Sequence, residues 1–71
     1  MELILYYAVS KNGKGILFED MPERDEHFGI WKGTTNGRLA SLLTYLEDRG
    51  AALPNLSFKD NPETITISIS L

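Results

Sequence analysis

The stretch Leu3-Ile4-Leu5-Tyr6-Tyr7-Ala8-Val9 decides the fold of this chain, because every one of its residues is apolar or aromatic. Successive side chains of a β-strand point to opposite faces of the sheet, so a strand of this composition is apolar on both faces. Such a strand is expected at the centre of a sheet. The chain has one segment with clear helical spacing, and one helix covers one face. A loop, a second copy or a partner must cover the other face.

A hairpin is predicted directly after this strand. Asn12-Gly13 suits a two-residue type I′ turn, in which both central residues have positive φ, and residues 15–19 form the return strand. This turn fixes which residues lie opposite each other. The predicted register pairs Val9 with Ile16 and Tyr7 with Phe18 on the helix-facing side, and Ala8 with Leu17 and Tyr6 with Glu19 on the second side.

An amphipathic helix is predicted over about residues 37–49. Its apolar positions follow the i, i+3, i+4, i+7 spacing of one buried stripe and are Leu39, Leu42, Leu43 and Leu46. Asn36 or Thr35 is the expected N-cap. Gly50 suits the left-handed position that follows the last helical residue.

Strict alternation over residues 63–71 predicts a last strand. Residues 28–32 are predicted as a short third strand, and a helical crossover is expected to bring the last strand back parallel to the first. We therefore predict one α+β domain over residues 1–71. Its small antiparallel-rich sheet has three or four strands in the spatial order 4-1-2-3, with one helix packed on one face. In the alternative, residues 28–32 are not a regular strand and the sheet has three strands.

The second face of this sheet is predicted to carry the chain's contact surface. Tyrosine and tryptophan are enriched at interfaces because each combines an apolar body with a polar tip. Residues 51–60 could instead fold over this face with Leu53, Leu56 and Phe58. The residues predicted to form the interaction surface are Tyr6, Leu17, Trp31, Thr66 and Ser68.

Composition limits the classes of partner. The net charge is −3 and the seven lysines and arginines are scattered, which argues against nucleic acid as a partner. The chain has no cysteine and one histidine, so a zinc site is not expected. No apolar stretch approaches the ~20 residues that span a bilayer. We expect a cytoplasmic protein, without a cofactor, whose partner is a protein or a second copy.

Residues 19–27 form an acidic loop with five carboxylates, together with Arg24 and His27. The loop has no EF-hand spacing, and the chain has no Gly-x-Ser-x-Gly motif. A single helix on a small sheet is also expected to lack a cleft of about 300 Å³. We therefore predict no metal site and no catalytic residues, and interpret the loop as a solvated connection.

The predicted function is a small non-enzymatic protein-interaction or accessory module, which could self-associate through the second sheet face or the C-terminal edge strand. The alternative is a nucleic-acid-binding module that stacks bases on the aromatic residues of the exposed sheet face. The edge version predicts that Ile67→Lys disrupts folding, whereas Ser68→Pro chiefly breaks association.

Overall fold

The computed structural model describes residues 2–68. Their elements are β1 (Glu2–Val9), β2 (Gly15–Phe18), β3 (Glu23–Asp25), β4 (Ile30–Lys32), α1 (Gly37–Asp48) and β5 (Glu63–Ser68). The strands β2, β1 and β5 form a three-stranded sheet with β1 in the centre, and β3 and β4 form a separate two-stranded sheet. The α+β class and the place of β5 beside β1 are confirmed. The predicted continuation of the last strand through residues 69–71 lies outside the described residues.

Two features of the predicted topology are wrong. β5 runs antiparallel to β1, with Glu63 opposite Tyr7 and Ser68 opposite Glu2. The connection over residues 49–62 brings the chain back before β5 begins, so α1 is not a simple crossover. The order 4-1-2-3 also fails, because the predicted third strand is β4 and pairs with β3. The main sheet has three strands, as in the alternative, yet residues 30–32 are a regular strand.

The first hairpin has a three-residue turn. The Ser10 N–H donates to the Lys14 carbonyl and the Gly13 N–H donates to the Ser10 carbonyl, both at 2.9 Å. Gly13 has a φ of 87°, in the left-handed region. A type I turn followed by a left-handed residue is the usual form of a three-residue hairpin loop.

This extra turn residue corrects the predicted register. Tyr7 lies opposite Leu17, and Ala8 lies opposite Ile16. A shift by one residue moves every side chain of a strand to the other face. Leu17 therefore faces the helix, while Ile16 and Phe18 face the second side.

Each face of the main sheet has its own core. The helix-side core buries Leu5, Tyr7, Val9, Leu17 and Leu39. The second-face core buries Ala8, Phe18 and Trp31, with Tyr6, Ile16 and Phe58 packed around them. Residues 51–60 divide between the two, since Leu53 and Leu56 pack on the helix side and Phe58 packs on the second face. The second face is thus covered chiefly by the β3–β4 hairpin.

The ends of α1 confirm the predicted signals. The Asn36 side chain accepts hydrogen bonds from the Arg38 and Leu39 N–H groups at 2.9 and 3.1 Å. Gly50, with a φ of 70°, follows the C-cap residue Arg49. The α1 backbone lies closest to β2, toward one side of the sheet. No helix within residues 2–68 has the length and apolar character needed to cross a membrane.

Candidate functional site

The five predicted contact residues differ in how deeply the structure buries them. Leu17 is 1% exposed and belongs to the helix-side core, while Trp31 is 8% exposed and belongs to the second-face core. Leu17 lies on the helix side because the register differs by one residue from the predicted one, and the β3–β4 hairpin buries Trp31. Both side chains are buried in the folded chain, so little of either is available to a partner. Tyr6 is half-buried, and Thr66 and Ser68 are exposed.

Trp31 is held by neighbours that the sequence did not indicate. It lies opposite Arg24, and its ring meets Phe58 edge-on with centroids 6.3 Å apart. The Arg24 guanidinium carbon is 5.9 Å from both ring centroids, and its Nη1 donates to the Lys59 carbonyl at 3.2 Å. Trp31 Nε1 is buried and has no hydrogen-bond partner among the described residues. Arg24 therefore joins the β3–β4 hairpin to residues 58–59 over the sheet.

The carboxylates of the acidic loop make local contacts. Asp25 forms a 2.7 Å salt bridge to Lys32 and accepts from the Phe28 N–H at 3.1 Å. The hydrogen bond from Lys32, followed by that from the Phe28 backbone, lowers the pKa of Asp25. Glu26 pairs with Arg24 at 3.2 Å. Over residues 2–68, no three or more His, Cys, Asp or Glu side chains come together in a group that could hold a metal ion.

One edge of the main sheet is covered. The Glu19 N–H donates to the Thr34 carbonyl at 2.8 Å, and the Thr35 hydroxyl donates to the Leu17 carbonyl at 2.8 Å. Residues 33–35 therefore lie along the outer side of β2 near its C-terminal end. The Leu17 carbonyl and the Glu19 N–H therefore point away from β1.

The directions of the β5 backbone groups follow from this alternation. Neighbouring residues of an antiparallel strand direct their N–H and C=O groups to opposite sides. The backbone groups of Leu17 point away from β1, so Tyr6 and Ala8 are the β1 residues whose backbone bonds to β2. The β1 residues that alternate with them bond to β5 instead. Ile65 and Ile67 then bond to β1. The groups of β5 that face outward belong to Thr64, Thr66 and Ser68.

The outer edge of β5 is open within the described part of the chain. Besides its ladder to β1, no backbone hydrogen bond of residues 2–62 reaches it. No residue after Glu63 carries a charged side chain. Natural proteins usually protect such edges with lysine, proline or a covering segment. Nearby, Ile4 on the second face is 53% exposed, opposite Thr66. The self-association predicted through the C-terminal edge strand would use this edge.

The expectation that the fold lacks a cleft is wrong. Two open grooves of about 390 and 640 Å³ lie beside α1. The larger one, here called the α1–β2 groove, runs between the helix and the hairpin, and its walls include Gly15, Ala40, Thr44 and Glu47. Tyr7 lines it from below, and its pKa is raised by burial and, secondarily, by the negative charge of Glu47.

A sequence signal for this groove existed. Gly37 and Ala40 leave one side of the helix without bulk, and the absent side chain of Gly15 makes room for the Tyr7 ring. A β-carbon on Gly15 would collide with the Tyr7 hydroxyl.

Comparisons of the chain with protein-family models, with curated proteins and with solved structures gave no match. The geometry of residues 2–68 therefore carries the functional argument.

Proposed function

We propose that this chain is a non-enzymatic protein-interaction module that self-associates by pairing β5 with β5 of a second copy. The observation that carries this proposal is the difference between the two edges of the main sheet. Residues 33–35 cover part of the β2 edge, whereas no described residue pairs with the outer edge of β5. An uncharged open edge is a template for another strand. We expect the complex to form in the cytoplasm.

The sequence of β5 favours an antiparallel pair of copies. A two-fold axis at Thr66 places Thr66 opposite its own copy and Thr64 opposite Ser68. All three residues have outward-facing backbone groups, so each pair can exchange hydrogen bonds. The one charged residue of the strand, Glu63, then lies at opposite ends of the two copies. A parallel pair would bring the two Glu63 side chains together, and like charges opposite each other are destabilising.

The pairing would also support a small core. Ile65 and Ile67 are only partly buried, because α1 lies on the same face of the sheet but over β2, at the opposite edge from β5. An antiparallel pair joins the two sheets and puts these isoleucines beside the same residues of the second copy. Domains of this size often need an oligomeric partner to supply enough buried apolar surface.

Less supports nucleic-acid binding on the sheet face, the alternative function. Base stacking needs accessible aromatic rings, and Trp31 is only 8% exposed. Phe18 is also buried, which leaves half-buried Tyr6 among the aromatics on that face of the described sheet. The self-association proposal needs no such ring.

The test is sedimentation equilibrium of the full chain and of Ser68→Pro over a wide concentration range. Proline at Ser68 removes an outward-facing N–H and leaves the bonds between β5 and β1 in place. We expect the unsubstituted chain to dimerise and Ser68→Pro to remain monomeric and folded. Ser68→Ala keeps the N–H and should dimerise normally. A dimer of unchanged affinity in Ser68→Pro would sink the proposal.

Ile67→Lys serves as the opposite control. Ile67 packs against the helix-side core, so a lysine there should unfold the chain rather than only separate the copies. Circular dichroism distinguishes the two effects.

A further inference from the structure

The α1–β2 groove contains a second, shorter piece of open sheet edge. We propose that this groove binds an extended peptide of another protein, which adds to the outer edge of β2 as a short strand and carries a basic side chain. This site lies across the sheet from β5, so it stands independently of the self-association proposed above.

The backbone of β2 supplies the first argument. The Leu17 carbonyl points away from β1, because it accepts the Thr35 hydroxyl at 2.8 Å. Residues two apart along a strand point the same way, so the N–H and C=O of Gly15 also face outward. No backbone hydrogen bond between described residues uses these Gly15 groups or the Leu17 N–H. An edge with free donors and acceptors is what strand addition requires.

The walls of the groove leave room for a strand. Gly37, Ala40 and Thr44 are small residues that recur along one side of α1, and they line the groove together with the larger Leu43 and Glu47. Gly15 lines the facing wall. The volume of about 640 Å³ is in the range of ligand sites, roughly 300–1,000 Å³. Thr35 closes one end at Leu17, so the open edge suits a peptide of about three to four residues at ~3.3 Å per residue.

Tyr7 and Glu47 supply the chemistry for one peptide side chain. Tyr7 is 8% exposed, lines the groove and lies across Gly15. None of the hydrogen bonds between described side chains and their partners involves its hydroxyl. Glu47 lines the groove from α1 and forms no salt bridge within residues 2–68. The ammonium group of a peptide lysine can donate to the Tyr7 hydroxyl oxygen and to the Glu47 carboxylate. Lys14 lies at the hairpin end of the groove and disfavours a second basic residue there.

The test is an NMR titration of the ¹⁵N-labelled full chain with the capped peptide acetyl-Val-Lys-Val-Thr-amide at millimolar concentration. We expect shifts of the Gly15, Leu17, Ala40 and Thr44 amides. The same peptide with methylated backbone nitrogens cannot donate to the edge and should lose the effect. Replacing its lysine by norleucine should weaken binding several-fold, and Glu47→Gln should abolish that preference.

Two helix variants locate the binding. Ala40→Phe fills the groove and should prevent the shifts, whereas Ser41→Phe, an exposed neighbour outside the groove lining, should retain them. The proposal is overturned if the groove amides do not move, if the methylated peptide moves them equally, or if shifts occur only at residues 64–68. Shifts confined to residues 64–68 would place strand addition at β5 alone and would leave the self-association proposal standing.

Discussion

The Thr35 hydroxyl donates to the Leu17 carbonyl at 2.8 Å, on the side of β2 that faces away from β1. Together with the bond from the Glu19 N–H to the Thr34 carbonyl, it covers one end of the β2 edge. The other end of β2 and the whole described outer edge of β5 have no such cover. The two edges of the main sheet therefore differ in how much of their backbone is available to another strand.

Thr35→Val tests the covered edge. Valine keeps the shape of the side chain but leaves the Leu17 carbonyl without its donor, which should lower the free energy of unfolding by about 1 kcal/mol. Thr34→Val is the matched control, because Thr34 contributes its backbone carbonyl to Glu19. Urea unfolding measures both. Equal stability of the two variants would show that the hydroxyl contributes nothing to this edge.

Gly15→Ala tests the packing of Tyr7 against β2. The added β-carbon collides with the ring and hydroxyl of Tyr7, so the ring must move, at a cost of roughly 1–3 kcal/mol. At Gly37 a β-carbon meets nothing within 4 Å, and Gly37→Ala should leave stability unchanged or raise it by about 0.5 kcal/mol. Thermal unfolding compares the two. An unaffected Gly15→Ala chain would mean that Tyr7 does not lie across this position.

Tyr7 predicts a loss of stability at alkaline pH. Burial and the nearby Glu47 carboxylate raise its pKa above the ordinary value of 10.0, which means that folding favours the neutral phenol. The contribution is fully present below pH 10 and falls as the pH rises through the raised pKa. Tyr7→Phe should therefore unfold less steeply with pH above about 10. Tyr45→Phe, at an exposed position, should follow the unsubstituted chain.

Arg24→Ala tests the second-face core. The guanidinium covers Trp31 and Phe58 and bonds to the Lys59 carbonyl, so its loss should expose the indole and cost about 1 kcal/mol. Trp31 is the only tryptophan, and its fluorescence should shift to longer wavelength. Arg49→Ala removes a comparable stack on Tyr45 and should leave the spectrum unchanged. An unshifted Arg24→Ala spectrum would contradict the role of Arg24.

The fold was predictable where one pattern dominated. The alternation of residues 63–68, the leucine stripe of α1 and the two-sided apolar β1 each indicated the right element. The Asn12-Gly13 turn was compatible with two- and three-residue loops, and that one residue decided whether Leu17 or Phe18 faced the helix. The direction of β5 depended on residues 49–62, which have no periodic pattern.

The candidate site was harder to predict because it depends on which faces and edges of the sheet other segments cover. Glu23–Asp25 is too polar to read as a strand, and so nothing in the sequence indicated that β3 and β4 would bury Trp31. Thr66 and Ser68 could be placed on the exposed face because alternation alone decides it. The β2 edge is partly closed because residues 33–35 lie along it. Only the tertiary structure shows that these residues cover β2 and leave the β5 edge open.

Hydrogen exchange at the outer edge of β5 tests the central claim most directly. The amides of Thr64, Thr66 and Ser68 face outward, while those of Ile65 and Ile67 bond to β1. We predict that exchange at the three outward amides slows as protein concentration rises, while the two isoleucine amides are protected at every concentration. Outward amides that exchange equally fast from dilute to concentrated solution would contradict the pairing of β5 with a second copy.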